Sequence, residues 1–298
     1  MINMGVIMAA EKKSGIITKC LGGLYTVESP DGVFECKARG VFRNKKIVPY
    51  VGDTAYLSEN VITGIAERKN CIIRPPLANL DQIIFVVSTC EPSPNLPLLD
   101  KFIAIAEYKG IKPVIAVTKV DLAQYEAILQ IYSKIGIELV VVDYRNNDAA
   151  EKLNKILNGK ISVLTGNSGA GKSTLLNALG DGFNVETGEI SRKLGRGRHT
   201  TRTAELYKLQ CGGYVADTPG FSTFETNKYD IIRKEELCGC FHEFSAYTDK
   251  CRFRDCSHTC EKGCAVVQAV KDGYISESRH RNYCVMYDEA KQLKEWKL

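Results

Sequence analysis

Eight residues constrain this chain more than any others: Gly166-Asn167-Ser168-Gly169-Ala170-Gly171-Lys172-Ser173. They fit the GxxxxGK[ST] phosphate loop, follow the apolar run 161–165 and precede the helix-forming run 174–179. The glycines allow backbone conformations closed to other residues, so successive N–H groups can turn onto a β-phosphate while the helix start adds partial positive charge. Lys172 would bridge the β- and γ-phosphates, and the Ser173 hydroxyl would be one ligand of Mg²⁺. A strand ending in such a loop predicts a parallel sheet covered by helices.

The alternation of apolar strands and helical stretches from residue 82 to about 230 agrees. Strands are expected at 83–87, 113–117, 138–142, 161–165 and 214–216, with helices over 98–108 and 124–135. Asp217-Thr218-Pro219-Gly220 ends the last of these strands. Asp217 can hold Mg²⁺ through water, and the N–H of Gly220 can sense a γ-phosphate. Thr118-Lys119-Val120-Asp121 ends the strand at 113–117. A carboxylate there can accept from N1–H and the 2-amino group of guanine, whereas adenine offers an acceptor on that edge. Asp121 would thus select GTP, with the Lys119 stem along the base. Thr118 stands where GTPases most often carry Asn, and no Ser-Ala loop is evident around 142–146, where Asp143 has no assigned role.

The rest of the chain frames this domain. Residues 14–72 hold five short strands punctuated by Gly22-Gly23 and Pro30-Asp31-Gly32, the pattern of an OB-type barrel. Pro75-Pro76 breaks it, and the boundaries are placed at 1–72 for the barrel, 73–230 for the nucleotide domain and 231–298 for the remainder. The last segment ends in an amphipathic helix from about Ser276 on the spacing of Tyr283, Tyr287 and Ala290. No apolar run reaches the roughly 20 residues of a membrane-crossing helix, and the first residues lack the order of a secretory signal. A cytoplasmic protein is expected, without a membrane partner and as a monomer. The net charge of +5 does not by itself make a nucleic-acid binder.

Half of the 12 cysteines crowd between Cys238 and Cys264, which in a reducing compartment points to metal rather than disulfides. Cys251, Cys256, His258 and Cys264 offer three thiolates and one imidazole within 14 residues, a closed set that suits one structural Zn²⁺. Cys260 and the Cys238-Cys240 pair are possible substitutes.

The base motif at 118–121 precedes the phosphate loop at 166–173, the reverse of small GTPases. With the barrel, the GNSGAGKST loop, Gly197-Arg198-His199-Thr200-Thr201, DTPG and the Cys/His knot, the whole chain resembles the ribosome small subunit-dependent GTPase A family. The resemblance implies an α/β, circularly permuted P-loop GTPase domain with an N-terminal OB-type β-barrel and a C-terminal zinc-binding helical domain. It also implies GTP hydrolysis to GDP and phosphate, with Mg²⁺, in late maturation of the small ribosomal subunit, whose rRNA would be a partner. The resemblance further implies that Thr174 would join the nucleotide contacts, that Thr201, or else Thr200, would complete the Mg²⁺ and γ-phosphate contacts, and that His199 would position water, once a partner closes the loop, where Phe221 replaces the usual glutamine. Lys37, Arg39, Arg43, Lys45 and Lys46 could touch phosphates or simply face water. An ATP-using enzyme and a zinc-dependent RNA-binding module with a vestigial nucleotide site are the alternatives.

Overall fold

The computed structural model of the chain describes residues 13–40, 42, 47–145, 148–179, 204–217 and 231–292. They divide into two compact units, one formed by residues up to Asn79 with a stretch ending at Tyr207, the other by the chain from Leu80 up to that stretch and again from Lys208.

The first unit is a closed barrel. Its strands are β1 (Lys13–Leu21), β2 (Leu24–Ser29), β3 (Gly32–Ala38), β4 (Thr54–Ser58) and β5 (Val61–Ile65), hydrogen-bonded in the order β1-β2-β3-β5-β4. Gly22 and Gly23, at φ of 60° and 84°, make the tight β1–β2 turn that a side chain would strain. β1 pairs with β4, and the parallel contact of β3 with β5 closes the ring, giving the Greek-key order of an OB fold. Alternate residues point inward, so Ile17, Tyr25, Val27, Cys36, Ala55, Leu57 and Ile62 are buried. A short hairpin of β6 (Cys71–Ile72) and β7 (Leu77–Ala78) follows.

The second unit is built on a six-stranded sheet. β8 (Gln82–Ser88), β9 (Lys112–Thr118), β10 (Glu138–Val141), β11 (Ile161–Gly166), β12 (Leu206–Lys208) and β13 (Tyr214–Asp217) lie in the order β10-β9-β8-β11-β13-β12. β10, β9, β8, β11 and β13 run parallel. β8, at the centre, is buried along its whole length, as expected of a strand covered on both faces. The helices α1 (Leu96–Tyr108), α2 (Glu126–Tyr132), α3 (Asp148–Leu157) and α4 (Lys172–Ala178) connect these strands or leave them. Asn95 caps α1 by accepting from the N–H of Leu98 at 3.1 Å, and Pro97 sits in the first turn, where no N–H is needed.

The chain after residue 231 adds α5 (Lys234–Leu237), three 3-10 turns, α6 (Ala265–Lys271) and α7 (Glu277–Lys291). Phe241, Phe244 and Tyr283 pack at centroid distances of 4.8 to 5.3 Å, edge-on or tilted. Beside them lies Arg279, 1% exposed. Its guanidinium donates to both oxygens of Glu243 at 2.8 and 3.1 Å and to Asp100 of α1 at 2.9 Å. Asp100 also accepts from Tyr132 at 2.8 Å and Asn282 at 2.6 Å. The buried charges are thus paired and hydrogen-bonded, which burial demands, and α7 is fastened to α1 and to the turn holding Glu243. The sequence pattern predicts the α7 helix but not this arginine on its buried face.

Candidate nucleotide and metal sites

The sheet order places the predicted nucleotide residues at neighbouring strand ends. Gly166 of β11 stands opposite Val86 of β8, and Ser88 of β8 stands opposite Thr118 of β9. With only β8 between their strands, the phosphate loop and the base motif therefore stand at the carboxyl edge of the sheet, where open α/β sheets bind ligands. Asp217 ends β13, opposite Leu164 of β11, so its backbone adjoins the strand that feeds the loop. Gly220, His199 and Thr201, together with Thr200 and Phe221, lie outside the described residues.

Backbone geometry explains the glycines. Gly166 has φ of 155°, and a Cβ there would sit 2.3 Å from the carbonyl oxygen of Val86. Gly169 and Gly171 are left-handed at 80° and 96°, and Gly171 caps α4. The loop from Asn167 through Ser168 to Ala170 is closed by the N–H of Ala170 donating to Asn167 at 3.1 Å. Lys172 opens the helix, and its Nζ reaches back to the carbonyls of Gly166 at 2.8 Å and Asn167 at 3.0 Å. Ser173 and Thr174 follow in the first turn of α4.

Thr118 is fully buried, and its hydroxyl donates to the carbonyl of Ala170 at 2.6 Å. The residue that departs from the usual Asn thus tethers the base motif to the phosphate loop. Lys119 is left-handed at φ 56°, its carbonyl accepts from Thr89 Oγ1 at 2.6 Å, and its ammonium donates to the carbonyl of Glu91. Asp121 follows in an exposed turn closed by the N–H of Leu122 on the Lys119 carbonyl at 3.0 Å. Thr89 was not singled out by sequence reasoning; a lone hydroxyl after a strand carries no pattern of its own.

The metal residues converge as well. The ligand atoms of Cys251, Cys256, His258 and Cys264 all lie within 4.8 Å of one another, the one such group among the described residues. Cys251 and Cys264 sulfurs are 3.8 Å apart, and His258 Nδ1 lies 3.5 and 3.6 Å from them. Tetrahedral zinc with Zn–S near 2.3 Å and Zn–N near 2.0 Å requires edges of about 3.8 and 3.5 Å, so these residues fit that ion. Cys260, Cys238 and Cys240 are not members of the group. None of the 12 cysteines is in a disulfide.

Local bonds hold the knot. The N–H groups of Ala265 and Val267 donate to the sulfurs of Cys251 and Cys264 at 3.3 and 3.5 Å. His258 is left-handed at φ 57°, its carbonyl pairs with His280 Nε2 at 2.7 Å, and Tyr283 donates to the carbonyl of Ser257 at 2.7 Å. Burial pulls the His258 ring below its ordinary value, favouring the neutral form that binds metals. Burial pushes the Cys256 thiol up to about 12, with the Cys264 thiol adding to it; a bound cation would reverse that. Glu261 gathers the N–H groups of Ser257 at 2.7 Å and of Thr259 and Cys260 at 3.2 Å, and also accepts from the Ser257 hydroxyl.

A phosphate loop after one strand, a Thr-Lys-x-Asp motif two strands away yet earlier in the chain, and a parallel sheet between them define a circularly permuted P-loop GTPase, a GTP hydrolase. The family model described as RsgA GTPase matches residues 65–227, and that described as RsgA N-terminal domain matches 14–61. The chain belongs to the RsgA GTPase family. Among its relatives is a protein of Caldanaerobacter subterraneus subsp. tengcongensis, 42% identical over 95% of this chain and 97% of its own length. Another, from Streptococcus pneumoniae, is 43% identical over 94% of this chain and 96% of its own length. Both are named small ribosomal subunit biogenesis GTPase RsgA. The crystal structure of YjeQ from Thermotoga maritima superposes with a TM-score of 0.80 at 34% identity, covering 95% of this chain and all of that one. That of YloQ, a circularly permuted GTPase, gives 0.78 at 32% identity over 97% and 98% of the two chains.

Proposed function

We propose that this protein binds the small ribosomal subunit late in its maturation and hydrolyses GTP to GDP and phosphate under stimulation by that subunit. The observation that carries the chemistry is the Thr118–Ala170 hydrogen bond, which joins a base-reading segment to a phosphate-gripping one. The names of relatives above 40% identity over nearly the whole chain support the ribosomal partner.

In this reading the backbone amides from Asn167 to Ser173 surround the phosphates and Lys172 turns from the loop carbonyls to the β- and γ-phosphates. Asp121 accepts from the guanine N1–H and 2-amino group, and Gly220 reports the γ-phosphate. Ser173, Asp217 and Thr201 supply oxygen donors of the kind Mg²⁺ prefers, and the ion would neutralise charge on the phosphates. His199 orients water once the ribosomal partner closes its loop. Cys251, Cys256, His258 and Cys264 hold one Zn²⁺ with no open position, a crosslink rather than a reaction centre. Residues 1–72, 73–230 and 231–298 act as barrel, GTPase and zinc domains of a cytoplasmic monomer. The barrel, on which Lys37 and Arg39 are exposed, would face rRNA. No helix among the described residues is long and apolar enough to cross a membrane.

The test is turnover of GTP and of ATP with and without purified small subunits. Wild type should hydrolyse GTP in preference to ATP, faster with subunits, and Lys172→Ala should not. Equal use of ATP, or turnover indifferent to subunits, would reject the reading.

A further inference from the structure

We infer that Arg145 is a second base-reading residue, whose guanidinium, held in place by Asp143, donates to O6 of guanine while Asp121 takes the neighbouring N1–H and 2-amino donors. This rests on the reading of Asp121 above and deepens it.

β9 and β10 run parallel with Val117 opposite Val141, and the N–H of Val142 donates to the carbonyl of Val117 at 2.8 Å. The segments that leave these two strands, 118–121 and 142–145, therefore emerge side by side at the carboxyl edge. In the second segment Asp143 accepts from the backbone N–H of Arg145 at 3.0 Å. The same carboxylate takes Arg145 Nε at 2.9 Å and a terminal nitrogen at 2.8 Å, a fork-to-carboxylate pair. An arginine side chain 65% exposed would ordinarily wander among rotamers; this one is fixed in plane and direction by its neighbour two residues away. Asp143 first, and then Asp121, hold the guanidinium above its usual value, so Arg145 lies within electrostatic reach of the base reader.

The chemistry needs such a group. A carboxylate at Asp121 serves only the donors of guanine, N1–H and the 2-amino group, whereas O6 and N7 are acceptors. The Lys119 ammonium is engaged with Glu91, and residues 142–146 carry no Ser-Ala segment. Asp143 leaves other N–H groups of the Arg145 fork for a ligand. Adenine presents an amino group where guanine presents O6, so the same arginine would repel it. The two side chains together would read both signs of the guanine edge.

Competition against a fluorescent GDP analogue tests this with GDP, IDP, 6-thio-GDP and ADP on wild type, Arg145→Ala, Arg145→Lys and Asp121→Asn. IDP lacks only the 2-amino group, and 6-thio-GDP replaces the acceptor at position 6 by a weaker, larger one. Arg145→Ala should weaken GDP on the order of ten-fold and bring the GDP to 6-thio-GDP ratio toward one, while the GDP to IDP ratio stays at its wild-type value. Arg145→Lys, which keeps the charge without the fork, should recover only part of the loss. Unchanged GDP affinity in Arg145→Ala, or an equal loss for all three guanine-like ligands, overturns the inference. Wild type that binds ADP as well as GDP, or Asp121→Asn that leaves the IDP ratio unmoved, overturns instead the reading of Asp121 on which it stands.

Discussion

The hydroxyl of Thr118 lies 2.6 Å from the carbonyl oxygen of Ala170, and both residues are buried. One short bond thus couples the end of β9 to the middle of the phosphate loop across β8. Asn could reach the same place with a longer arm; Thr does it from a strand, where a β-branched side chain is at home. Thr118→Val keeps the shape and removes the donor, so it should cost about 1–3 kcal/mol of stability and weaken GDP binding. Thr118→Ser should retain both. Thermal unfolding with and without GDP would decide, and a Val variant that binds GDP normally would remove Thr118 from the site.

Gly166→Ala should abolish nucleotide binding without abolishing the fold of the barrel. The added Cβ would meet the Val86 carbonyl at 2.3 Å, and the strain must be relieved by moving β8 or the loop. GDP titration by calorimetry, with circular dichroism as control, measures this.

Arg279→Ala should be among the most destabilising single changes in the chain, about 3–5 kcal/mol, because it strands Asp100 and Glu243 as buried, unpaired carboxylates. Replacing Arg279 and Asp100 together by apolar residues should recover part of that loss. Urea unfolding of the single and double variants gives the comparison, and a neutral single variant would show that the cluster carries no stability.

Metal analysis should return about one zinc per chain, falling to near zero in Cys264→Ser. Because no ligand comes from the phosphate loop, GDP binding should survive the loss better than the thermal stability of the segment around residues 251–264 does.

Glu261 links that segment to pH. Burial alone would raise its carboxyl, but hydrogen bonds from the Ser257 side chain and from backbone N–H groups outweigh it and hold the group at about 2. A folded value below the unfolded one, about 4.3, contributes stability that is complete above the unfolded value and lost as pH falls toward the folded value. Wild type should therefore exceed Glu261→Gln in stability at pH 6, and the gap should narrow by pH 3.5. A gap that stays constant in urea unfolding would count against this carboxylate.

Local patterns made the framework legible. The turn glycines at 22–23 and the alternation around Val27 and Leu57 give the barrel strands, and the phosphate loop is written in eight adjacent residues. The ligand spacing of the metal knot was equally local. What escaped depends on partners distant in sequence. Arg279 reads as one more surface charge on α7 until Asp100 and Glu243 fold around it. Asp143 has no role until β10 sets it beside β9. β12, three residues long, is too short for periodicity to register. His199 and Thr201, carried by resemblance, and Gly220, read from the motif that begins at Asp217, fall outside the described residues.

The position of β8 also bears on how the chain is made. Synthesis proceeds from the amino terminus, so this strand, apolar from Ile83 to Val87, can zip to β9 early, yet its other side must wait until Ile161–Gly166 has left the tunnel. During that interval the nascent protein presents a naked, greasy border to every other strand in the cell, a hazard that a growing chain beginning with its phosphate loop would not share in the same form.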